Sequence, residues 1–308
     1  MYQIQVLTIR FLNRSALMKT ILVPTDFSPN AIHAVHYAAS LIQQKGGRLL
    51  LVHTLDYTVS VSPEGVPLLP VEAPLIEESE EALDSLAQEL RNEFGFRFEV
   101  ETFCLFGPLI PLLNEQVKTQ AVDLVVMGTK GASNYLDRLI GTYTSTYIKE
   151  AICPVLVVPA QVSFRPIQHI AYASDLETEE TSYLKQLFQL ASHLGSEVNI
   201  INISSEQTLN IVPDAQILTS IQKHFPQQKY SIAQLKHPDV VAGLKEFVQE
   251  NHMDVLAVSI QDRDFLESLF HHSVTKQLAL KAFVPLLTLP ANSYQDLNKR
   301  PVPQKAAI

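Results

Sequence analysis

Apolar residues recur along this chain in two alternating rhythms: short unbroken runs, and longer stretches with a helical period. Residues 21–24 form an apolar run that reads as a buried strand. Ser28 and Pro29 then supply an N-cap and a proline suited to the first helical position. Ile32, Val35, Ala39 and Ile42 share one helical face, and Gly46 marks its end. A second strand is expected over 49–53. A proline-rich loop, 59–75, leads into a helix with Leu83, Leu86, Leu90 and Phe94 on one face. Alternation over 98–103 predicts a third strand, and Gly107 and Pro108 open a third helix. Residues 124–127 read as a fourth strand. A short fourth helix and a final strand over 154–158 complete the series.

The series then repeats. ILVPTD at 21–26 is answered by IAYASD at 170–175, each an apolar run ending in an aspartate. DLVVM at 123–127 is answered by DVLAV at 254–258. PVLVVP at 154–159 is answered by PLLTLP at 285–290. The last two matches share one offset, so from residue 123 to 160 the second copy follows the first without a gap. The chain is read as a duplication: an N-terminal extension (1–17), a first domain (18–160), a second domain (167–291) and a C-terminal tail (292–308). Met18 is the expected natural start, with 1–17 an upstream extension. A signal peptide is not expected there, because Arg10 and Arg14 interrupt any apolar core. A membrane-surface anchor is disfavoured because the polar face is not basic. Strands alternating with helices predict parallel sheets covered on both faces, with ligands beyond the carboxyl ends of the strands.

Composition narrows the function classes. The 308 residues are 46% hydrophobic and 18% charged, with a net charge of −9. That suits two globular cores, and without a basic run it argues against nucleic acid. No apolar stretch is long enough for a transmembrane helix, so no membrane partner is expected. Cys104 and Cys153 form no CxxC pair and read as reduced thiols of a cytoplasmic protein.

Chemistry concentrates in residues 127–144, MGTKGASNYLDRLIGTYT. Gly128 and Gly131 follow a strand, where glycine admits positive φ and close ligand approach. Gly141 and Thr142 open a helix whose free N–H groups favour an anion, and Thr142 and Thr144 add hydroxyls. Together they describe a phosphate cradle. No GxxxxGK[ST] and no GxGxxG is present.

This glycine spacing resembles the ATP-binding motif of the universal stress protein family. MKTILVPTDFS, LLLVHTLD and CPVLVVP are similar to that family's first, second and last strands. The resemblance implies an α/β fold: two tandem Rossmann-like domains of the adenine nucleotide alpha hydrolase type. Each would be a five-stranded parallel sheet of order 3-2-1-4-5 with helices on both faces. It further implies that Pro24, Thr25 and Asp26 flank a nucleoside, with Thr54 near the adenine. Met127, Gly128, Lys130 and Gly131 would line the ribose and phosphate path. Gly141, Thr142, Tyr143 and Thr144 would hold the phosphates of ATP, with Mg²⁺ or Mn²⁺ between phosphate oxygens and no metal held by protein ligands alone. Aspartate after a strand also caps the following helix, which is the plainer reading of Asp26. The family pairs domains through their last strands, so 154–159 and 285–290 would pair within one chain as a pseudo-dimer, with a homodimer of such chains as a further expectation.

The second copy departs from the motif. Ser259, Asp262 and His272 stand where Gly128, Gly131 and Gly141 stand in the first, and Asp262 and Asp264 would repel phosphate. Ser273, Thr275 and Asp175 keep the hydroxyls and the acid. This copy is read as a degenerate, structural partner. His33 with His36, and His271 with His272, are read as ordinary histidines. Glu77, Glu78, Glu80 and Glu81 are read as a solvated helix start, and the FGFRF stretch at 94–98 as helix end plus strand core. No GxSxG elbow supports nucleophilic catalysis. The function expected is a stress-linked ATP sensor with at most slow hydrolysis and an unknown protein partner. The alternative is a scaffold that binds no nucleotide and docks partners through loop 59–75.

Overall fold

The computed structural model describes residues 20–55, 60–61, 67–68, 73–129, 142–176, 180–204, 214–260 and 284–291. The first half runs β1 (Thr20–Pro24), α1 (Pro29–Ile42), β2 (Arg48–Leu55), β3 (Ser60–Val61), β4 (Pro67–Leu68), α2 (Ala73–Phe94), β5 (Glu99–Phe106), α3 (Leu109–Thr119), β6 (Leu124–Gly128), α4 (Thr142–Glu150) and β7 (Val155–Val158). The second half runs β8 (His169–Ala173), α5 (Thr181–Leu194), β9 (Glu197–Ser204), α6 (Asp214–His224), β10 (Tyr230–Lys236), α7 (Val240–Glu250), β11 (Val255–Ser259) and β12 (Leu286–Leu289).

One ten-stranded sheet passes through both halves in the order β10-β9-β8-β11-β12-β7-β6-β1-β2-β5. Counting the main strands of each half from its start gives 3-2-1-4-5 twice, and every pairing inside a half is parallel. At the centre β12 meets β7 antiparallel, with Leu286 opposite Val157, Leu287 opposite Leu156 and Thr288 opposite Val155. The two halves therefore pair through their last strands, and their carboxyl edges point in opposite directions.

The strands are apolar on both faces because both are covered. On one face a single core crosses the seam, joining Ile21, Val23, Val35 and Leu90 of the first half to Ile170, Leu184, Leu187 and Leu287 of the second. On the other face each half has its own core. Leu22, Val125 and Tyr147 belong to one; Ile201, Leu244 and Val258 belong to the other. Ser28 caps α1 by accepting from the Ala31 N–H, with Pro29 just inside the helix. The duplicated aspartates also do equivalent work. Asp123 accepts from the Thr20 N–H, and Asp254 from the Gln168 and His169 N–H groups, each tying the start of one strand to its neighbour.

Three expectations need adjusting. Stretch 59–75 contains the small antiparallel pair β3–β4, and α2 begins within it at Ala73. The second and third strands run further than expected, because β2 and β5 stay in register to Leu55 and Phe106. In FGFRF, Phe94 and Phe98 pack together with ring centroids 5.9 Å apart, but Phe96 is 90% exposed. Gly95, at φ +66°, turns the chain there and leaves Phe96 outside.

At the seam, a cavity of about 30 Å³ is lined by Asp123, Cys153, Gln186 and His193, among others. Burial lowers the His193 pKa, with the Asp123 charge opposing. Below about pH 6.5 the unfolded chain takes up that proton first, so this contribution to stability is full at neutral pH and falls on acidification. His193→Gln should flatten that part of the fall in melting temperature between about pH 7.5 and 5.5. Leu156→Ala, in the core shared across the seam, should lower the unfolding free energy by about 2–5 kcal/mol in urea titrations followed by circular dichroism.

Candidate nucleotide site

Strand order reverses between β1 and β6, so a crevice opens where their carboxyl ends diverge. On the β1 side the chain makes a tight elbow. The Thr25 N–H donates to the Val52 carbonyl at 2.8 Å, continuing the ladder by one residue. Thr25 is buried, and its Oγ1 accepts from the Phe27 N–H at 3.0 Å. Asp26 is exposed, and its Oδ1 accepts from the Ser28 N–H at 3.0 Å. The carboxylate thus braces the turn into α1 while staying open to solvent; the helix cap itself is Ser28, not Asp26. Phe27 sits at φ +60°, unusual for a bulky residue and costing about 1–2 kcal/mol. His53 compensates: its Nδ1 lies 2.7 Å from the Thr25 carbonyl, and its ring packs on Phe27 at 4.8 Å. A carbonyl only accepts, so Nδ1 carries the proton.

On the β6 side, Gly128 ends the strand. Its backbone is not in the left-handed region, contrary to the reason given from sequence. The requirement is proximity: a Cβ there would stand 2.5 Å from the Asn30 carbonyl oxygen in the first turn of α1. Two helix starts are thereby gathered at one place. Thr144, on α4, is buried and donates its hydroxyl proton to the Gly128 carbonyl at 3.2 Å. That donor, expected to serve a ligand, is committed inward because the strand-end carbonyl needs a partner. Met127 likewise turns its side chain into the core. Tyr147 and Ile148, both fully buried, fix α4, and burial pushes the Tyr147 phenol well above its usual range. Tyr143 points outward, 66% exposed. Pro24 and Thr54 are half-buried at the ends of β1 and β2. The Thr142 side chain, Lys130, Gly131 and Gly141 lie outside the described residues.

The second half builds the same elbow. The Ser174 N–H donates to the Ile201 carbonyl, the Leu176 N–H to Ser174 Oγ, and Leu176 sits at φ +53°. Its surroundings differ. Glu180, buried at the start of α5, receives the Ser174 hydroxyl at 2.6 Å and the Tyr172 phenol at 3.3 Å. Ser259, at the Gly128 position, hydrogen-bonds Tyr172. Asp262, Asp264, His271, His272, Ser273 and Thr275 lie outside the described residues. A protein carboxylate therefore stands beside the second switch point.

The universal stress protein family profile matches residues 18–159. Universal stress protein MJ0531 of Methanocaldococcus jannaschii is 31% identical over 148 residues, 47% of this chain and 85% of that protein. A universal stress protein of Thermus aquaticus, from the QAH/OAS sulfhydrylase 3′ region, is 32% identical over 146 residues, 46% of this chain and 99% of that one. The chain belongs to the universal stress protein family. A universal stress protein from Archaeoglobus fulgidus shares the fold across both halves, with a TM-score of 0.64 at 14% identity, covering 89% of this chain and 98% of that one. The second half repeats the strand order of the first, so one chain carries two domains of this fold in tandem.

Sequence reasoning passed over His53, although the histidine at the end of LLLVH was in view. It also passed over Glu180, whose role depends on packing with Tyr172 and Ser174. His36 was weighed only with His33 on its own helix; it bridges to α2, with Nδ1 3.0 Å from Glu93 and Nε2 3.6 Å from Glu89. His33 Nε2 donates to the Val162 carbonyl, anchoring the linker. No helix among the described residues is long and apolar enough to cross a membrane.

Gly128→Ala should destabilise the protein by about 1–3 kcal/mol in thermal denaturation, because the Asn30 carbonyl it would meet is backbone and cannot rotate away.

Proposed function

We propose that the first domain of this tandem universal stress protein binds ATP, and that the second is a built-in structural partner. The reading rests on the contrast between the two switch points. The first presents an exposed carboxylate, Asp26, beside the starts of α1 and α4. The second sets a buried carboxylate, Glu180, against Ser174 and Tyr172. Free N–H groups at helix starts attract anions; in this reading Asp26 meets the nucleoside and not the phosphates, whereas Glu180, fixed at the start of α5, repels an anion arriving there.

In this reading Asp26 and Thr54 flank the nucleoside, and the segment leading into α4 holds the phosphates. Mg²⁺ or Mn²⁺ would reduce the repulsion among phosphate oxygens when bound with ATP. Lys130, Gly131 and Gly141 keep the roles that the family motif implies. In this reading hydrolysis is slow at most, with Asp26 engaged by the nucleoside and His53 Nδ1 committed to the Thr25 carbonyl. ATP would then bias one conformation or partner surface, as a sensed ligand in a reducing, cytoplasmic setting where Cys104 and Cys153 stay free.

Calorimetric titration of nucleotide-stripped protein with ATP·Mg²⁺ tests this. One site is expected, and Asp26→Asn should weaken it about tenfold or more while keeping the acceptor for Ser28. Gly128 is unsuitable as the test position, since substitution there disturbs α1 itself. Two sites would overturn the reading of the second domain. No heat at millimolar ATP would leave a nucleotide-free scaffold in its place.

A further inference from the structure

We propose that His53 is the positioning residue of the first domain's ligand-bearing elbow, holding the Thr25 carbonyl and Phe27 so that the Asp26 carboxylate faces the crevice. The inference rests on the reading of that domain as the ATP-binding one.

The argument begins with strand register. Pro24 of β1 pairs with Val52 of β2, and β2 then runs on past the end of β1, paired there with β5. His53 is the first residue of that overhang. The Thr25 N–H is satisfied by Val52, but the Thr25 carbonyl has left the ladder. His53 Nδ1 donates to it at 2.7 Å. The same ring lies against Phe27 at 4.8 Å, under the residue held at φ +60°. Asp26 is suspended between these two anchored neighbours. Its direction is therefore set by these neighbours together with its own bond from the Ser28 N–H.

The second domain is an internal control. Asn202 follows Ile201, the residue that pairs with the last residue of β8, and so stands at the equivalent place on the β9 overhang. Its Nδ2 donates to the Ser174 carbonyl at 3.0 Å and to the Asp175 carbonyl at 3.1 Å. Two chemically unlike side chains thus make the same donation to the same elbow. What they share is an N–H aimed at a carbonyl that the sheet no longer serves. The elbow needs this donor in both domains, but only in the first does the carboxylate it carries stay exposed.

The test uses the full chain and three variants. His53→Ala removes the donor, His53→Asn replaces it with the group found in the second domain, and Asn202→Ala removes the second domain's own donor. In titrations with ATP·Mg²⁺, His53→Ala should weaken binding about tenfold or more, and His53→Asn should restore it to within about threefold. Asn202→Ala should leave ATP affinity unchanged while lowering the melting temperature about as much as His53→Ala. Hydrogen exchange of ligand-free protein supplies an independent readout. The Phe27 and Ser28 amides should exchange about tenfold faster in His53→Ala and at the wild-type rate in Asn202→Ala.

Wild-type affinity in His53→Ala would overturn the proposal. So would equal weakening by Asn202→Ala, which would mean that general stability is being measured. A wild-type protein that binds no ATP would refute the nucleotide reading instead. The exchange rates would then decide alone whether His53 sets the elbow.

Discussion

The antiparallel contact between β7 and β12 is the constraint on which the rest of this molecule depends. Each half is a parallel sheet whose last strand would otherwise be an open edge, with unpaired N–H and C=O groups. Pairing the two edges satisfies them within one chain and lets one core run across the seam on the side of α1 and α5. It also fixes orientation. Because the pairing is antiparallel, the carboxyl ends of the two sets of strands face opposite ways, so the two switch points cannot merge into one site. The halves can share a core while their crevices diverge in chemistry.

That divergence follows from substitutions that support one another. In the first half, Gly128 lets the end of β6 press against the first turn of α1. In the second, Ser259 occupies the corresponding place and bonds Tyr172, which in turn bonds Glu180. A serine side chain in the first half would meet backbone. In the second half it joins a buried polar network whose carboxylate receives two hydroxyl donors. Such a network stabilises when its members are satisfied together, so removing one member costs more than its own bond. The second crevice is thereby committed to internal hydrogen bonding.

Much of the fold was legible in the sequence because it rests on local pattern and repetition. The paired motifs at 21–26 and 170–175, and the constant offset between the later strands, expose the duplication. The apolar period of α2 locates Leu83, Leu86 and Leu90 on its buried face, where they lie. The site was legible only in part. Glycine at 128 was noticed, but the reason for it lies in Asn30, a residue almost a hundred positions away and brought close by the sheet. Thr144 looked like a ligand donor because its neighbour in the fold, the Gly128 carbonyl, cannot be inferred from spacing. Glu180 and His36 were opaque for the same reason: their partners come from other elements, and periodicity reports only an element's own face.

The elbow after the first strand shows how a folding requirement becomes a functional one. A parallel strand that ends beside a longer neighbour leaves a carbonyl without a ladder partner. Any residue type that donates from the overhang can repair it, which is why histidine serves in one half and asparagine in the other. The repair holds the next residues in a left-handed turn that bulky side chains rarely adopt on their own. Once held, the turn presents whatever side chain lies at its tip. In the second half that aspartate is partly covered and its elbow is tied to Glu180 through Ser174. In the first half nothing comparable intervenes among the described residues, and a turn required by the sheet delivers an exposed carboxylate to the point where strand order reverses.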